Sequence, residues 1–169
     1  MGDLTYRLAL PAEMPTIREL LWKHGPNQWN HLPEEGVDQE FHHIESGQGF
    51  VIVAIRNTGL VGFAISLVGD ACPSHIRKHA GSRNTLFIAD VVVDPAFSGQ
   101  GIGTQLLLSS IDEARLRDLK EVFIERHEEN LASAGMMRKA AFSHVETFHD
   151  PAKRTSGSRN SSILKVDLA

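Results

Sequence analysis

The sequence predicts a mixed α+β fold in three layers, with a central, mostly antiparallel sheet of about seven strands and about four flanking helices. Two apolar segments, at 50–55 and 60–68, are separated by Arg56-Asn57-Thr58-Gly59, which is typical of a β-hairpin. The near-continuous apolar segment at 86–93 is typical of a central strand that is covered on both faces. This segment then passes through a glycine-rich turn into an amphipathic helix, so helices and strands must share one mixed sheet.

The N-terminal part of the chain predicts a strand, two helices and the hairpin. Residues 4–10 alternate as a strand does, and Pro11-Ala12-Glu13 begins a helix that ends at Gly25. An irregular segment at 26–33 leads to a second helix, which ends at Gly47. The apolar residues of the two helices are Met14, Ile17, Leu20 and Leu21, then Val37, Phe41 and Ile44.

After the hairpin, the polar segment 69–84 is rich in glycine, serine and histidine and is predicted to be a mobile loop. The remaining predicted elements are a strand at 86–93, a helix at 102–119, a strand at 121–126, a helix at 131–140, and strands at 142–148 and 162–168. Neither a repeat nor a linker interrupts this pattern, so we expect a single domain over residues 1–169.

Composition narrows the class of protein. Of the 169 residues 41% are hydrophobic and the formal net charge is −4, so no basic excess points to a nucleic-acid partner. No apolar segment is long enough to span a membrane, and the N-terminus lacks the features of a signal peptide. The single cysteine, Cys72, excludes an internal disulfide framework. We therefore expect a soluble protein of the reducing cytoplasm.

The turn after the central strand predicts a phosphate site. Gly99, Gly101 and Gly103 fall within five positions and leave their backbone N–H groups accessible, and the helix that follows adds the unpaired N–H groups of its first turn. The P-loop of kinases is excluded because no lysine follows Gly103. A dinucleotide site would need glycine where Leu106 stands, but Glu125 and Glu128 lie at the distance of its acidic residue, so this alternative stays open.

The segment Ser98-Gly99-Gln100-Gly101-Ile102-Gly103 resembles the pyrophosphate motif of the GNAT superfamily of acyl-CoA-dependent N-acetyltransferases, [QR]-x-x-G-x-[GA]. Ser98 departs from that pattern, a modest loss because main-chain N–H groups make most of the contacts in the family. The resemblance implies the GNAT fold and acetyl-CoA as the acyl donor. It implies cofactor contacts at Val91, Val92, Val93, Ser98, Gly99, Gln100, Gly101, Ile102, Gly103 and Thr104.

A second block, from Asn130 to Phe142, resembles the family pattern N-x-x-A-x-x-x-Y-x-K-x-G-F more weakly. It implies further cofactor contacts at Asn130, Ser133, Met137 and Lys139. Met137 stands where the family often has the tyrosine that protonates the leaving thiolate, and methionine donates no proton. Water or another residue such as Ser133 would have to replace it, since the only tyrosine is Tyr6, in the first strand.

The same resemblance implies how the reaction is catalysed. Main-chain N–H groups near 91–93 would polarise the thioester carbonyl where the central strand parts from its neighbour. Asp90 lies in the middle of that strand, where a carboxylate is costly unless it is paired or functional, and it is our first candidate for the base. A purely structural Asp90, hydrogen-bonded to loop amides, is the alternative. Glu125 and His127 end the next strand and are the other catalytic candidates.

The acceptor is encoded less clearly. In this fold it lies between the segment that joins the first two helices and the loop that joins the last two strands, which implies contacts from Trp29, His31 and Arg154. We expect a small-molecule primary amine attacked directly in a ternary complex, and a homodimer paired through the final strands is compatible with the sequence. A protein N-terminal or lysine acetyltransferase and a non-catalytic acyl-CoA sensor are the alternatives. A metal site is rejected because the adjacent His42 and His43 diverge on a helix.

Overall fold

The computed structural model describes residues 3–57 and 59–168. Its sheet has seven strands in the order β1-β2-β3-β4-β5-β7-β6. All neighbouring strands are antiparallel except β4 and β5, which are parallel. The predicted mixed, mostly antiparallel sheet is therefore confirmed. The strands are β1 Leu4–Leu8, β2 Gly49–Arg56, β3 Gly59–Val68, β4 Thr85–Val93, β5 Glu121–His127, β6 Ser143–His149 and β7 Asn160–Asp167.

Five α-helices flank this sheet in the part of the chain that is described: α1 Met14–His24, α2 Glu34–Glu45, α3 Ser74–Arg77, α4 Ile102–Leu116 and α5 Leu131–Lys139. Helix α4 ends three residues earlier than predicted. Asp118 takes a left-handed conformation with φ 58°, and the N–H of Leu119 turns back to the carbonyl of Ala114, so the helix is closed there.

The layers follow from the alternation of side chains along the strands. Ile52 and Ala54 of β2 pack beneath α4 and α5, whereas Val51 and Val53 pack beneath α1 and α2. A third cluster, under α3, contains Phe87 and Phe123 of the parallel strands. The three-layer prediction is confirmed.

The segment 69–84 differs from its prediction as a loop. It contains a 3₁₀ turn at Gly69–Ala71 and the one-turn helix α3. Cys72 and Ile76 are buried against the sheet, at 2% and 0% exposure. The polar composition of the segment hides these two apolar residues, which are spaced four apart and therefore share one side of the turn.

The hairpin between β2 and β3 forms as predicted, with Arg56 opposite Gly59. Asn57 takes φ 57°, as hairpin turns require. Thr58, which completes the predicted turn, lies outside the described residues.

Two irregularities of β4 prepare the site. Pairing with β5 stops at Ile88 and Ile124, so the two strands part beyond this point. Opposite, Ile65 pairs with Asp90 but Ser66 pairs with Ile88, so Ala89 is an extra residue, a β-bulge. Ile88 and Val91 consequently both pack on the α4 face, and Asp90 turns towards α2 on the other face.

Candidate active site

The glycine-rich turn forms a cradle of accessible backbone. Gly99 and Gly101 take φ values of 79° and 76°, which side chains with a Cβ adopt at a cost. A Cβ added at either position would meet no atom within 4 Å, so the space beside both glycines is open. Both glycines are needed for the backbone path, and a ligand can approach their main chain closely.

Helix α4 continues this cradle. Gly101 is its N-cap and has no side chain that could accept a hydrogen bond from the N–H groups of the first turn, which begins at Ile102. Such a terminus, with its positive dipole end, fits the pyrophosphate of CoA. Gly103 has a further role, because a Cβ there would lie 2.6 Å from Sδ of Met136. Glycine at this position lets α5 pack closely against α4.

A cavity of about 100 Å³ lies where β4 and β5 part. The structure brings together nine of the predicted site residues around it: Asp90, Val91, Val92, Glu125, Asn130, Ser133, Met137, His31 and Arg154. Val93, Trp29, His127, Lys139 and the turn at 98–104 are not part of this lining. The glycine-rich cradle and the cavity are thus two parts of one candidate site, connected along the second half of β4.

Asp90 contacts the carboxyl group of Glu40, which is on α2. Burial, followed by the hydrogen bond and charge of Asp90, raises the pKa of Glu40 far above its usual range, and Lys153 offsets this only partly. Glu40 is therefore protonated at neutral pH. Oε2 of Glu40 and Oδ2 of Asp90 are buried and have no hydrogen-bond partner in the described residues apart from the contact within the pair. Asp90 lines the cavity, and the proton of Glu40 is shared within the pair.

Sequence reasoning missed Glu40 although the sequence contains a signal for it. Val37, Phe41 and Ile44 define the buried face of α2, and position 40 belongs to the same stripe at i+3 from Val37. A carboxyl group on the apolar face of an amphipathic helix is costly unless it has a partner. That partner, Asp90, could not be identified without the tertiary structure.

Glu125 is committed to an ion-pair network on the α3 side of β5. Its side chain is 1% exposed, with His75 Nε2 at 3.0 Å and Lys153 Nζ at 2.5 Å. Burial alone would raise its pKa, but the hydrogen bonds and charges of His75 and Lys153 outweigh burial and lower the pKa to about 2. A carboxylate with so low a pKa is a weak base, so this geometry fits Glu125 for positioning Lys153 better than for accepting a proton.

His127 is fully buried and uses both ring nitrogens. Nδ1 accepts from the N–H of Glu129 at 3.0 Å, and Nε2 lies 2.8 Å from the carbonyl of Ser156. The indole of Trp29 packs on the imidazole with ring centroids 4.8 Å apart. In this arrangement both side chains join the end of β5 to the surrounding loops, and neither presents a free group to the cavity.

Arg154 also joins two loops by hydrogen bonds, and only 2% of its surface is exposed. Its guanidinium donates to Oγ of Ser161 at 2.8 Å and to the carbonyl of Trp29 at 3.2 Å. Ser156 of the same loop donates to the carbonyl of Gln28. The loop between β6 and β7 is thereby fastened to the segment between α1 and α2.

The residues of the second block, from Asn130 to Phe142, lie in different surroundings in the structure. Met137 is buried beside the cavity. Because a methionine side chain has no proton to donate, this position supplies no general acid. Oδ1 of Asn130 accepts from the N–H of Ser133 at 3.2 Å and caps α5. Lys139 is exposed near the end of α5, outside the lining of the cavity.

The described residues contain no group of three or more His, Cys, Asp or Glu side chains that is placed to hold a metal ion. None of their helices combines the length and the apolar character that crossing a membrane requires.

The model of the acetyltransferase (GNAT) family matches residues 14–142. No curated protein matches the sequence significantly. Among solved structures, an acetyltransferase from Bacillus subtilis in complex with CoA is 19% identical over 99% of this chain and 100% of its own, with a TM-score of 0.73. A ribosomal-protein-alanine N-acetyltransferase from Brucella melitensis is 21% identical over 97% and 99%, with a TM-score of 0.76.

An aminoglycoside acetyltransferase in complex with coenzyme A and kanamycin is 16% identical over 98% of this chain and 95% of its own, with a TM-score of 0.73. At these identities the likeness is one of fold, and it confirms the predicted GNAT architecture. The antiparallel neighbours in the sheet also remove the doubly wound scaffold that a dinucleotide site needs. Because the family model covers most of the chain, the protein belongs to the acetyltransferase (GNAT) family of acetyl-CoA-dependent acyltransferases.

Proposed function

We propose that this protein transfers the acetyl group of acetyl-CoA to a primary amine of a small molecule, by direct attack in a ternary complex. The observation that carries the proposal is the contact between Asp90, which lines the cavity where β4 and β5 part, and Glu40, both of which are half-buried. When bound, acetyl-CoA supplies the thioester whose carbonyl carbon the amine attacks. The main-chain N–H groups of 99–104 would hold its pyrophosphate.

In this proposal Asp90, which lines the cavity, binds the incoming ammonium group through its carboxyl group. It then takes one proton from the ammonium, which leaves the neutral amine needed for attack. Glu40 keeps its own proton. It donates a hydrogen bond to the carboxyl group of Asp90 and thereby fixes the orientation of that side chain. Glu40 is thus a positioning residue, and Asp90 is the base.

The contact between the α1–α2 segment and the β6–β7 loop, which are expected to bind the amine, supports a small-molecule acceptor. Arg154 and Ser156 fasten the loop between β6 and β7 to the carbonyls of Trp29 and Gln28. A polypeptide segment would need this side to be open. Structural neighbours nevertheless include enzymes named for aminoglycosides and for a ribosomal-protein alanine, so the fold accommodates both acceptor classes.

The test is calorimetric titration with acetyl-CoA and with CoA, followed by assays of thiol release with a panel of small amines and N-terminal peptides. We expect tight binding and thiol release with small amines. Release only with peptides would replace the small molecule by a protein acceptor. Binding without release from any amine or peptide would favour the acyl-CoA sensor, and no binding at all would overturn the proposal.

Three expectations from the sequence stay predictions: a single domain over 1–169, a cytoplasmic location and a homodimer. Cys72 is compatible with a reducing compartment, because it is buried and burial raises the pKa of its thiol to about 11. The position of β6 supports the dimer. This strand lies at the edge of the sheet and has β7 as its neighbour on one side only, so its other side could pair with a strand of a second copy.

A further inference from the structure

Arg126 occupies the part of the cavity that faces α4 and α5. It follows Ile124 by two residues on β5, and Ile124 packs in the cluster beneath these helices. Glu125, between them, points to His75 on the other face. Arg126 therefore lines the cavity together with Met137 and Ser133, on the side where the resemblance places CoA.

The guanidinium of Arg126 is held in place by backbone. Nη1 donates to the carbonyls of His127 at 3.0 Å and Glu128 at 2.5 Å. Nε is buried and has no acceptor in the described residues. Burial lowers the pKa of the group and the charge of Glu128 offsets this, but an arginine keeps its charge throughout the physiological range.

A buried N–H group without an acceptor is destabilising, so this site calls for an acceptor from a ligand. The proposed chemistry lacks a proton donor for the leaving sulfur. Methionine at 137 donates no proton to the sulfur that leaves, and the sulfur must depart with its electron pair. A fixed positive charge can stabilise that developing anion without any proton transfer.

We propose that Arg126 stabilises the leaving thiolate of CoA through its fixed guanidinium, in place of a general acid. The inference rests on the proposed function. As the C–N bond forms, the C–S bond breaks and its electron pair stays on sulfur, next to the guanidinium. Asp90 takes the first proton of the ammonium and passes it to water. The nitrogen, which is positively charged once the C–N bond has formed, loses its second proton to water, so the products are the neutral amide, the thiolate of CoA and two protons released to solvent.

The test measures the thiol of bound CoA, which needs no turnover. The protein is saturated with CoA, and the ultraviolet absorbance of the thiolate is followed as pH is raised. We expect the wild type to lower the pKa of that thiol by about one unit or more relative to free CoA. Arg126→Gln should remove the shift, and Arg126→Lys should restore part of it. The matched control is Arg83→Gln, an arginine with 89% of its side chain exposed.

Kinetics provide the second readout. Arg126→Gln should lower kcat about tenfold to a hundredfold, while KM for acetyl-CoA changes little, because the interaction develops only as the bond breaks. If the thiol of CoA bound to folded Arg126→Gln has the same pKa as in the wild type, this inference is overturned and the proposed function remains intact. Failure of the wild type to bind CoA would instead remove the proposed function itself.

Discussion

Asp90 is the residue on which the proposed chemistry depends most directly. Replacing it by asparagine keeps the shape and removes the base, so we expect turnover to fall at least about tenfold. The affinity for CoA should stay nearly unchanged, because the phosphate cradle is elsewhere. Initial rates with the responding amine and calorimetry with CoA measure the two effects. Asp112→Asn, on the exposed side of α4, is the control. An unaltered rate for Asp90→Asn would remove Asp90 as the base.

Glu40 gives a prediction for stability. Its pKa is raised in the folded chain, so above its ordinary value of about 4.3 the folded protein holds a proton that the unfolded chain has released. Stability therefore falls as pH rises through this range, by up to ~1.4 kcal/mol per pH unit. Glu40→Gln should be more stable than the wild type at pH 7, by at least about 1 kcal/mol, and the gain should grow towards pH 9.

Urea unfolding of both proteins at several pH values measures this gain. Glu45→Gln, at the end of the same helix, should show no such trend and serves as the control. A constant or shrinking difference between Glu40→Gln and the wild type with rising pH would show that Glu40 is ionised in the folded state.

These two carboxyl groups also show where sequence reasoning stops. Asp90 was predicted because a carboxylate within an apolar strand is conspicuous in one dimension. Glu40 was missed because glutamate is common on helices, and only the packing of α2 against the sheet reveals its partner. His127, Trp29 and Arg154 were predicted near the site, but their hydrogen bonds and ring contacts with neighbouring loops depend on three-dimensional positions.

At the scale of elements, the cradle before α4 makes a prediction about its backbone. Gly101→Val places a β-branched side chain at φ 76° and in the space through which a ligand would approach the N–H groups. We expect it to abolish CoA binding in calorimetry. Gly47→Val is the matched control, since Gly47 has φ 81° and equally open surroundings at the end of α2.

Both valine variants should lose about 1–2 kcal/mol of stability from backbone strain, but only Gly101→Val should lose CoA. Equal retention of CoA by both variants would contradict the role of the cradle.

The strands and the four longer helices were predictable because each has its own period of apolar residues. The one-turn helix α3 was not, since four residues are too few to show a period. The parting of β4 and β5 was expected from the resemblance, but the bulge at Ala89 has no mark in the sequence. A bulge is defined by the pairing of two strands, which a single segment does not specify.

For the whole molecule, the two faces of the sheet separate the two substrates in our proposal. Acetyl-CoA would lie on the side of α4 and α5, and the amine would reach the cavity from the side of α1 and α2. The single cysteine, Cys72, is buried under α3 and is not part of the lining of the cavity. We therefore expect intersecting lines in double-reciprocal plots of initial velocity, and no acetylated enzyme by mass spectrometry after incubation with acetyl-CoA. Parallel lines with an acetylated side chain would contradict direct transfer.

The extra residue Ala89 has a consequence for how such an enzyme can change. Because it shifts the alternation of β4 by one, the segment that follows presents Val91 and Val93 to one side of the sheet and Asp90 to the other. Deleting Ala89 alone would restore a regular ladder with β3, in which Ile88 and Asp90 are neighbours, and would leave Asp90, Val91 and Val93 on the sides that they occupy now. The bulge is thus a local change in strand shape that one codon can add or remove without moving the reactive group to the other face of the sheet.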